Sequence, residues 1–321
     1  MARARAIPKE MNAAAIDRFG PPDVIHLERV PVPAVGKRDI LVAVDRAGVG
    51  EWEADIADGS FQEGETQFPR VLGTDGAGTV VAAGSSVKRF EPGDRVYGWA
   101  LGNAKGGFFA EYAAIDEREA AIIPENLAFD EAGALAASGL TALQGLDRLG
   151  LEEGENLLIF GASGGVGHVA VQLAKHMGLR VFAVASKEDG VRLVNKLGAD
   201  GSVEGHSKTL IRKATAFAPL GFAGALVFAG GNGWRTELQL VVKGGRVASP
   251  NGVDPRPLVP KGVTLETYDA EDSPEAFDRL NELIARGPFH IEISKTYSLD
   301  QAARAIADVQ KHHVGKLAIK V

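Results

Sequence analysis

"LLIFGASGGVGHVAVQLAKHMGLRVFAVASKEDG", residues 157–190, runs from an apolar stretch through a cluster of glycines into an amphipathic stretch, then into a second apolar run that ends in Ser-Lys. A strand that turns directly into a helix leaves backbone N–H groups and the helix's positive end pointing at one spot, and a diphosphate fits there. Gly161 permits the tight turn, Gly164 lets the backbone approach a pyrophosphate, and Gly167 lets the helix pack closely on the strand. Ala162, Ser163, Gly165 and Val166 complete the turn. The spacing G-x-x-G-x-x-G is a variant of the dinucleotide fingerprint and is weak by itself. Its setting strengthens it, because a strand precedes, an amphipathic helix follows, and a second strand arrives within about 20 residues. The pattern predicts a dinucleotide-binding βαβ unit.

The end of the second strand reports on the cofactor. A site for NAD usually places Asp or Glu there to bind the adenosine ribose. Ala185 stands at that position, followed by Ser186 and Lys187, a hydroxyl and an ammonium suited to the 2′-phosphate of NADPH. The other reading makes Ser186 the cap of a solvated helix start. Arg192, on the following helix, either assists or is simply exposed.

Outward from this unit, 321 residues exceed the usual size of one hydrophobic core, so two domains are expected. A net charge of -7 without a basic patch argues against nucleic acid and against anionic membrane surfaces. The start, "MARARAIPKEMNAAAI", has early arginines but no apolar core of a secretory signal, and no run approaches the roughly 18 apolar residues of a membrane span. A cytoplasmic protein is expected. With no cysteine there are no disulfides, no thiolate nucleophile and no Cys-ligated zinc.

Residues 13–123 carry short apolar runs punctuated by Gly, Pro and Asp, such as "ILVAVDRAGV", "GTVVAAG" and "GDRVYGWA", and predict a β-rich, partly closed sheet. From about residue 128 helices and strands alternate: "FDEAGALAASGLTALQGLDRL" reads as helix, "ENLLIFG" as strand, "EDGVRLVNKLG" as helix, and "GALVFAG", "GGRVASP" and "VTLETY" as further strands. Strands separated by helix-length segments imply a parallel sheet covered on both faces. Ser-capped helices follow at "SPEAFDRLNELIARG" and "SLDQAARAIADVQKHH", and a last strand, "GKLAIKV", returns to the β-rich half. The expected division is 1–124, completed by 271–321, and 125–270. Residues 262–268, "GVTLETY", should end the parallel sheet as an exposed edge, which predicts a homodimer.

Several of these stretches, taken in order, resemble the zinc-independent quinone oxidoreductases of the medium-chain dehydrogenase/reductase family. They are "RFGPPDVIHLERVPVPAVGKRDILVAVDRAGV", "FPRVLGTDGAGTVVAAGSSVKRFEPGDRVYG", "GGFFAEYAAI", "LAASGLTALQGL", "GASGGVGHVAVQLAK", "KLGAD" and "HHVGKLAIKV". The resemblance runs nearly end to end. It implies an α/β chain with a GroES-like β-rich catalytic domain built from both ends, a Rossmann doubly wound domain between, NADPH as cofactor, and hydride transfer to a quinone or an α,β-unsaturated carbonyl. Zinc-dependent relatives place Cys and Gly-His-Glu where this chain has Gly50 and the triplet Gly73, Thr74, Asp75, so no metal is expected. Conjugated substrates spread the charge that arrives with hydride and need a Lewis acid less than simple ketones do.

The resemblance also distributes the site. Thr141, Phe228, Ala229, Gly230, Ser249 and Asn251 are placed on the cofactor's nicotinamide side, and Trp99 and Asn103 near the substrate mouth. After the catalytic strand, "GVGEWEAD" departs from the family's pattern: Gly50 lacks the expected polar side chain, and an indole follows at Trp52. Trp52 either lines the pocket or packs under a loop. Asp75 and Tyr97 are candidates for proton donation or orientation, both at turns where they equally serve structure. Lys316 is either the counterpart of a family lysine or a solvated strand-end residue. Two rivals stand beside the quinone reductase: an enone reductase that barely touches quinones, and an NADPH-binding protein with a sensing or structural role.

Overall fold

The computed structural model describes residues 6–61 and 66–321. Arg3 and Arg5, the early arginines of the N-terminal stretch, lie outside the described residues. The chain divides into two compact units: one holds the described residues up to 137 with Asp272–Phe277 and Ile293–Val321, the other Ser138–Glu271 with Asp278–Glu292. No helix among the described residues is long and apolar enough to cross a membrane.

In the second unit six parallel strands lie in the order Gly201–Glu204, Arg180–Ala185, Asn156–Phe160, Phe222–Val227, Val241–Pro250, Thr264–Tyr268. Numbered along the chain this is 3-2-1-4-5-6, the doubly wound Rossmann order, with the reversal beside Asn156–Phe160. The strand "NLLIF" has almost no polar alternation because both faces of a parallel sheet are covered, and Leu157, Leu158, Ile159 and Phe160 are fully buried. Register aligns Phe160 with Val184 on one side and Val227 on the other, so three strands end level at the glycine turn. The crossover helix Gly167–His176 is buried through Ala174. Thr264–Tyr268 pairs on one side only and forms the sheet's edge.

The first unit is built on the long strand Asp39–Val49. It pairs antiparallel with Asp75–Ala83, Tyr112–Asp116 and the final strand Lys316–Lys320, and register shifts near Leu41 and Val44 bend it. Arg95–Trp99 continues the sheet beside Asp75–Ala83, with Trp99 opposite Asp75. The bend and the pairings wrap the sheet around a core that includes Ile40, Val42, Phe108, Ile115 and Ile319.

One helical expectation needs correction. The stretch 129–149 is two helices, Phe129–Ala132 and Ala136–Leu149. Gly133 lies against the Arg46 backbone so closely that a Cβ would stand 2.9 Å from the Arg46 carbonyl oxygen and 2.5 Å from its Cβ. The 3.6-residue period is continuous there, but the chain turns to make that approach.

Candidate functional site

In the second unit the glycine turn does what its spacing requires. Gly161 has φ 71°, the left-handed region that glycine tolerates. A Cβ on Gly167 would stand 2.1 Å from the Gly161 carbonyl oxygen, so helix and strand approach closer than any side chain allows. A Cβ on Gly164 would meet nothing nearer than that same oxygen at 3.5 Å, so this side of the turn is open. The amides of Ser163, Gly165 and Val166 donate to no group among the described residues. Free amides at a helix start, beside a glycine with open space, fit an anionic diphosphate.

The neighbouring positions brace this turn. Ala162 N–H donates to Val184 O at 3.0 Å. Ser163 is buried, and its Oγ accepts from Ser186 N at 3.0 Å and lies 3.0 Å from Ser186 Oγ. Ser186 therefore precedes the helix Lys187–Lys196 without capping it, its hydroxyl turned to Ser163. Lys187 is exposed at φ 46°, a strained conformation for a residue with a side chain, and has no ion-pair partner among the described residues. Arg192 pairs with Glu188 at 2.9 Å. Ala229 lies against Gly161, Phe228 N–H donates to Phe160 O at 3.1 Å, and Gly230 leaves no room for a Cβ, which would sit 1.8 Å from Asp254 O. Ser249 Oγ donates to Val227 O at 3.0 Å and Asn251 Nδ2 to Asp269 Oδ2 at 2.8 Å, so both side chains bond within the protein. Thr141 offers its carbonyl to Tyr268 OH at 2.8 Å.

In the first unit side chains rather than backbone converge. The indole of Trp52 folds back over Gly50 and fills the space a side chain there would need, since a Cβ would lie 2.2 Å from Trp52 Cε2. Trp52 Nε1 donates to Thr74 Oγ1 at 2.6 Å, and that hydroxyl donates to Glu53 Oε1 at 2.9 Å. Glu53 also accepts from Thr74 N at 2.8 Å and from Gly73 N at 3.2 Å. Burial pushes the Glu53 carboxyl up to about 7, with the Asp75 charge adding, against the hydrogen bonds from Thr74 and Gly73. Asp75 is fully buried beside Gly48, and among the described residues neither oxygen makes a well-formed hydrogen bond. Burial raises its pKa, opposed chiefly by the Lys316 ammonium.

Lys316 itself is 3% exposed, and its Nζ lies 5.1 Å from the centre of the Trp52 ring. It is a buried cation, not a solvated strand-end residue. Trp99, opposite Asp75, buries an indole N–H that has no partner among the described residues. Tyr97 is wholly buried, edge-on to Phe277 at 5.4 Å. Asn103 ties its own loop together, donating to Gly106 O and Ala114 O. Among the described residues no three His, Asp or Glu side chains converge as metal ligands would.

Glu53 was the side chain that sequence reasoning passed over. Glutamate in a polar stretch reads as solvated, yet Glu53, Ile56 and Ala57 share the buried face of the helix Trp52–Asp58. Their i, i+3, i+4 spacing is the signal that places Glu53 inward.

Residues 36–125 match the alcohol dehydrogenase GroES-like domain and residues 165–285 the zinc-binding dehydrogenase domain. Quinone oxidoreductase from Rattus norvegicus is 30% identical over 322 residues, covering 96% of each chain. The NADPH-dependent alkenal/one oxidoreductase of Arabidopsis thaliana is 36% identical over 206 residues, 62% of this chain; the match spans about half of that relative, 53% of its length. Among solved structures, the quinone oxidoreductase from Coxiella burnetii superposes with a TM-score of 0.83 over 98% of this chain and 100% of the other, at 28% identity.

Proposed function

This chain belongs to the quinone oxidoreductases of the medium-chain dehydrogenase/reductase family, and from that premise we propose that it is an NADPH-dependent reductase that passes a hydride to a quinone or to an alkene conjugated with a carbonyl. The observation that carries the reading is the open glycine turn with its free amides, set beside a second strand that ends in Ala185, Ser186 and Lys187 with no carboxylate at the ribose position. A nicotinamide cofactor is common ground for this family. The preference for NADPH rests on Lys187, exposed and without an ion-pair partner among the described residues.

When bound, the reduced nicotinamide supplies the hydride. The chain's own groups bind and orient. The amides of Ser163, Gly165 and Val166 hold the diphosphate, Ser186 and Lys187 the 2′-phosphate, and Thr141, Phe228 to Gly230, Ser249 and Asn251 flank the nicotinamide side through backbone groups and shape. Trp52 and Trp99 wall the acceptor's pocket and keep water out. Asp75 and Lys316 form its polar floor. Glu53, poised to titrate near neutrality, accepts the Thr74 hydroxyl hydrogen bond and holds that side chain in place, while the proton that completes the substrate comes from solvent. An acceptor whose conjugation spreads the negative charge that arrives with hydride asks little of the site's own donors.

The test is an NADPH oxidation screen over quinones, alkenals and simple aldehydes, with and without a chelator. Turnover of quinones or alkenals, indifferent to chelator, is expected; turnover of simple aldehydes alone, or loss of activity on chelation, sinks the reading. Product analysis separates hydroquinone from saturated carbonyl. We also propose a homodimer through the edge strand Thr264–Tyr268, whose unpaired backbone groups invite a partner strand. Light scattering at micromolar concentration should give twice the chain mass.

A further inference from the structure

The carbonyl oxygen of Gly164 receives two hydrogen bonds, and both come from one residue. The helix supplies the first, from His168 N at 3.1 Å; the His168 ring supplies the second, with Nδ1 at 2.8 Å. The tautomer follows from the ring's far side. Glu292 N–H points at Nε2 from 3.2 Å, and an N–H needs an acceptor, so Nε2 carries no proton and Nδ1 carries the one given to Gly164. His168 is fully buried. The residues it meets at 290–292 are clamped to the same helix by Gln172, which bonds His290 N and His290 O, each at 2.8 Å.

A trans peptide sets its C=O and N–H on opposite sides. Holding Gly164 O toward the ring therefore aims the Gly165 amide away from it, toward the open side of the turn. That amide donates to nothing among the described residues. We propose that His168 is a positioning residue of the dinucleotide site: its neutral ring fixes the Gly164–Gly165 peptide for the diphosphate, and it couples the turn to residues 290–292. The proposal rests on the cofactor reading above and reaches past it, to a side chain that touches no part of the ligand.

The test uses His168→Asn and His168→Gln, titrated with NADPH, NADH and 2′-AMP, each with a thermal melt. Asn can place an N–H where Nδ1–H stands; Gln reaches toward the place of Nε2 and leaves Gly164 without its second donor. The Gln variant should bind NADPH and NADH more weakly by the same factor, roughly 3- to 10-fold, since both carry the diphosphate. Its affinity for 2′-AMP, which has no diphosphate, should stay at the wild-type value, and the Asn variant should bind all three within about twofold of wild type. His168→Leu, which fills the buried volume without a donor, should show the Gln pattern and replaces it if the Gln variant does not fold. Gln and Leu variants that bind both dinucleotides as wild type does overturn the proposal, as does an Asn variant that loses as much as Gln, or a loss of 2′-AMP binding in parallel. Wild type that binds neither dinucleotide fails the cofactor reading itself, a result distinct from all of these.

Discussion

In the turn at 161–167 the groups offered to a ligand are backbone amides, while in the cluster around Thr74 they are buried side chains drawn from segments far apart in the chain. The turn costs little to desolvate, because its amides stay open and its glycines only remove obstacles. The cluster is expensive, since Glu53, Asp75 and Lys316 are all buried and only partly compensated. A backbone site thus tolerates changes of charge but not of volume. A side-chain site should show the reverse, with pH as its most sensitive axis.

The largest effect expected is in the turn. Gly167→Ala forces a methyl into the Gly161 carbonyl, backbone against backbone, and should lower stability by about 3 kcal/mol or more in urea unfolding. Gly164→Ala should leave stability within about 1 kcal/mol of wild type, even slightly raised, while NADPH binding is lost because the methyl stands on the open side. A Gly164→Ala protein that binds NADPH normally would break the contrast between volume and charge.

Next comes the pH dependence of the cluster. The Glu53 carboxyl is raised in the folded state from 4.5 to about 7, so the native protein binds its proton more tightly than the unfolded chain does. Its contribution is fully present below about pH 4.5 and is lost as pH rises through 7, up to about 3 kcal/mol in all. Glu53→Gln should flatten that slope in unfolding experiments run from pH 5 to pH 8. Part of the slope should survive, because burial also lifts Glu119 to about 7. An unchanged slope would show that Glu53 does not carry it.

Lys187 tests charge at the margin of the backbone site. Lys187→Ala should cost about 1.5 to 3 kcal/mol of NADPH affinity, leave NADH nearly unchanged, and matter less as salt rises. Lys187→Gly should lose the same selectivity yet melt higher, by about 1 kcal/mol in stability, since φ 46° suits glycine. Equal losses for the two cofactors would assign Lys187 to loop shape instead. The smallest effect belongs to Trp52→Phe, which keeps a ring over Gly50 but removes the bond to Thr74 Oγ1 and should cost about 0.5 to 1.5 kcal/mol in thermal melts.

What is legible in the sequence follows from how local each feature is. The alternation of strands and helices from residue 156 onward and the tight turn at Gly161 and close packing at Gly167 are written in short-range spacing, because turn geometry and a period of two or 3.6 are properties of neighbouring residues. The break at 133–135 was not legible, since it answers to the Arg46 backbone of another strand. Nor was the place of the Trp52 indole, which lies in the space a Gly50 side chain would need.

By itself the sequence determined the class of fold, the place of the glycine turn and the absence of thiol chemistry. Tertiary structure alone decided that Lys316 is buried, that Glu53 meets Thr74, that Ser186 turns to Ser163 instead of capping its helix, and that His168 reaches Gly164 and Glu292 at once. The physical reason is that backbone geometry is settled within a few residues. Desolvation, the pKa it shifts and the tautomer a ring adopts depend on which distant segments close over the group, and only the packed chain brings residue 53 to 74 or residue 168 to 292.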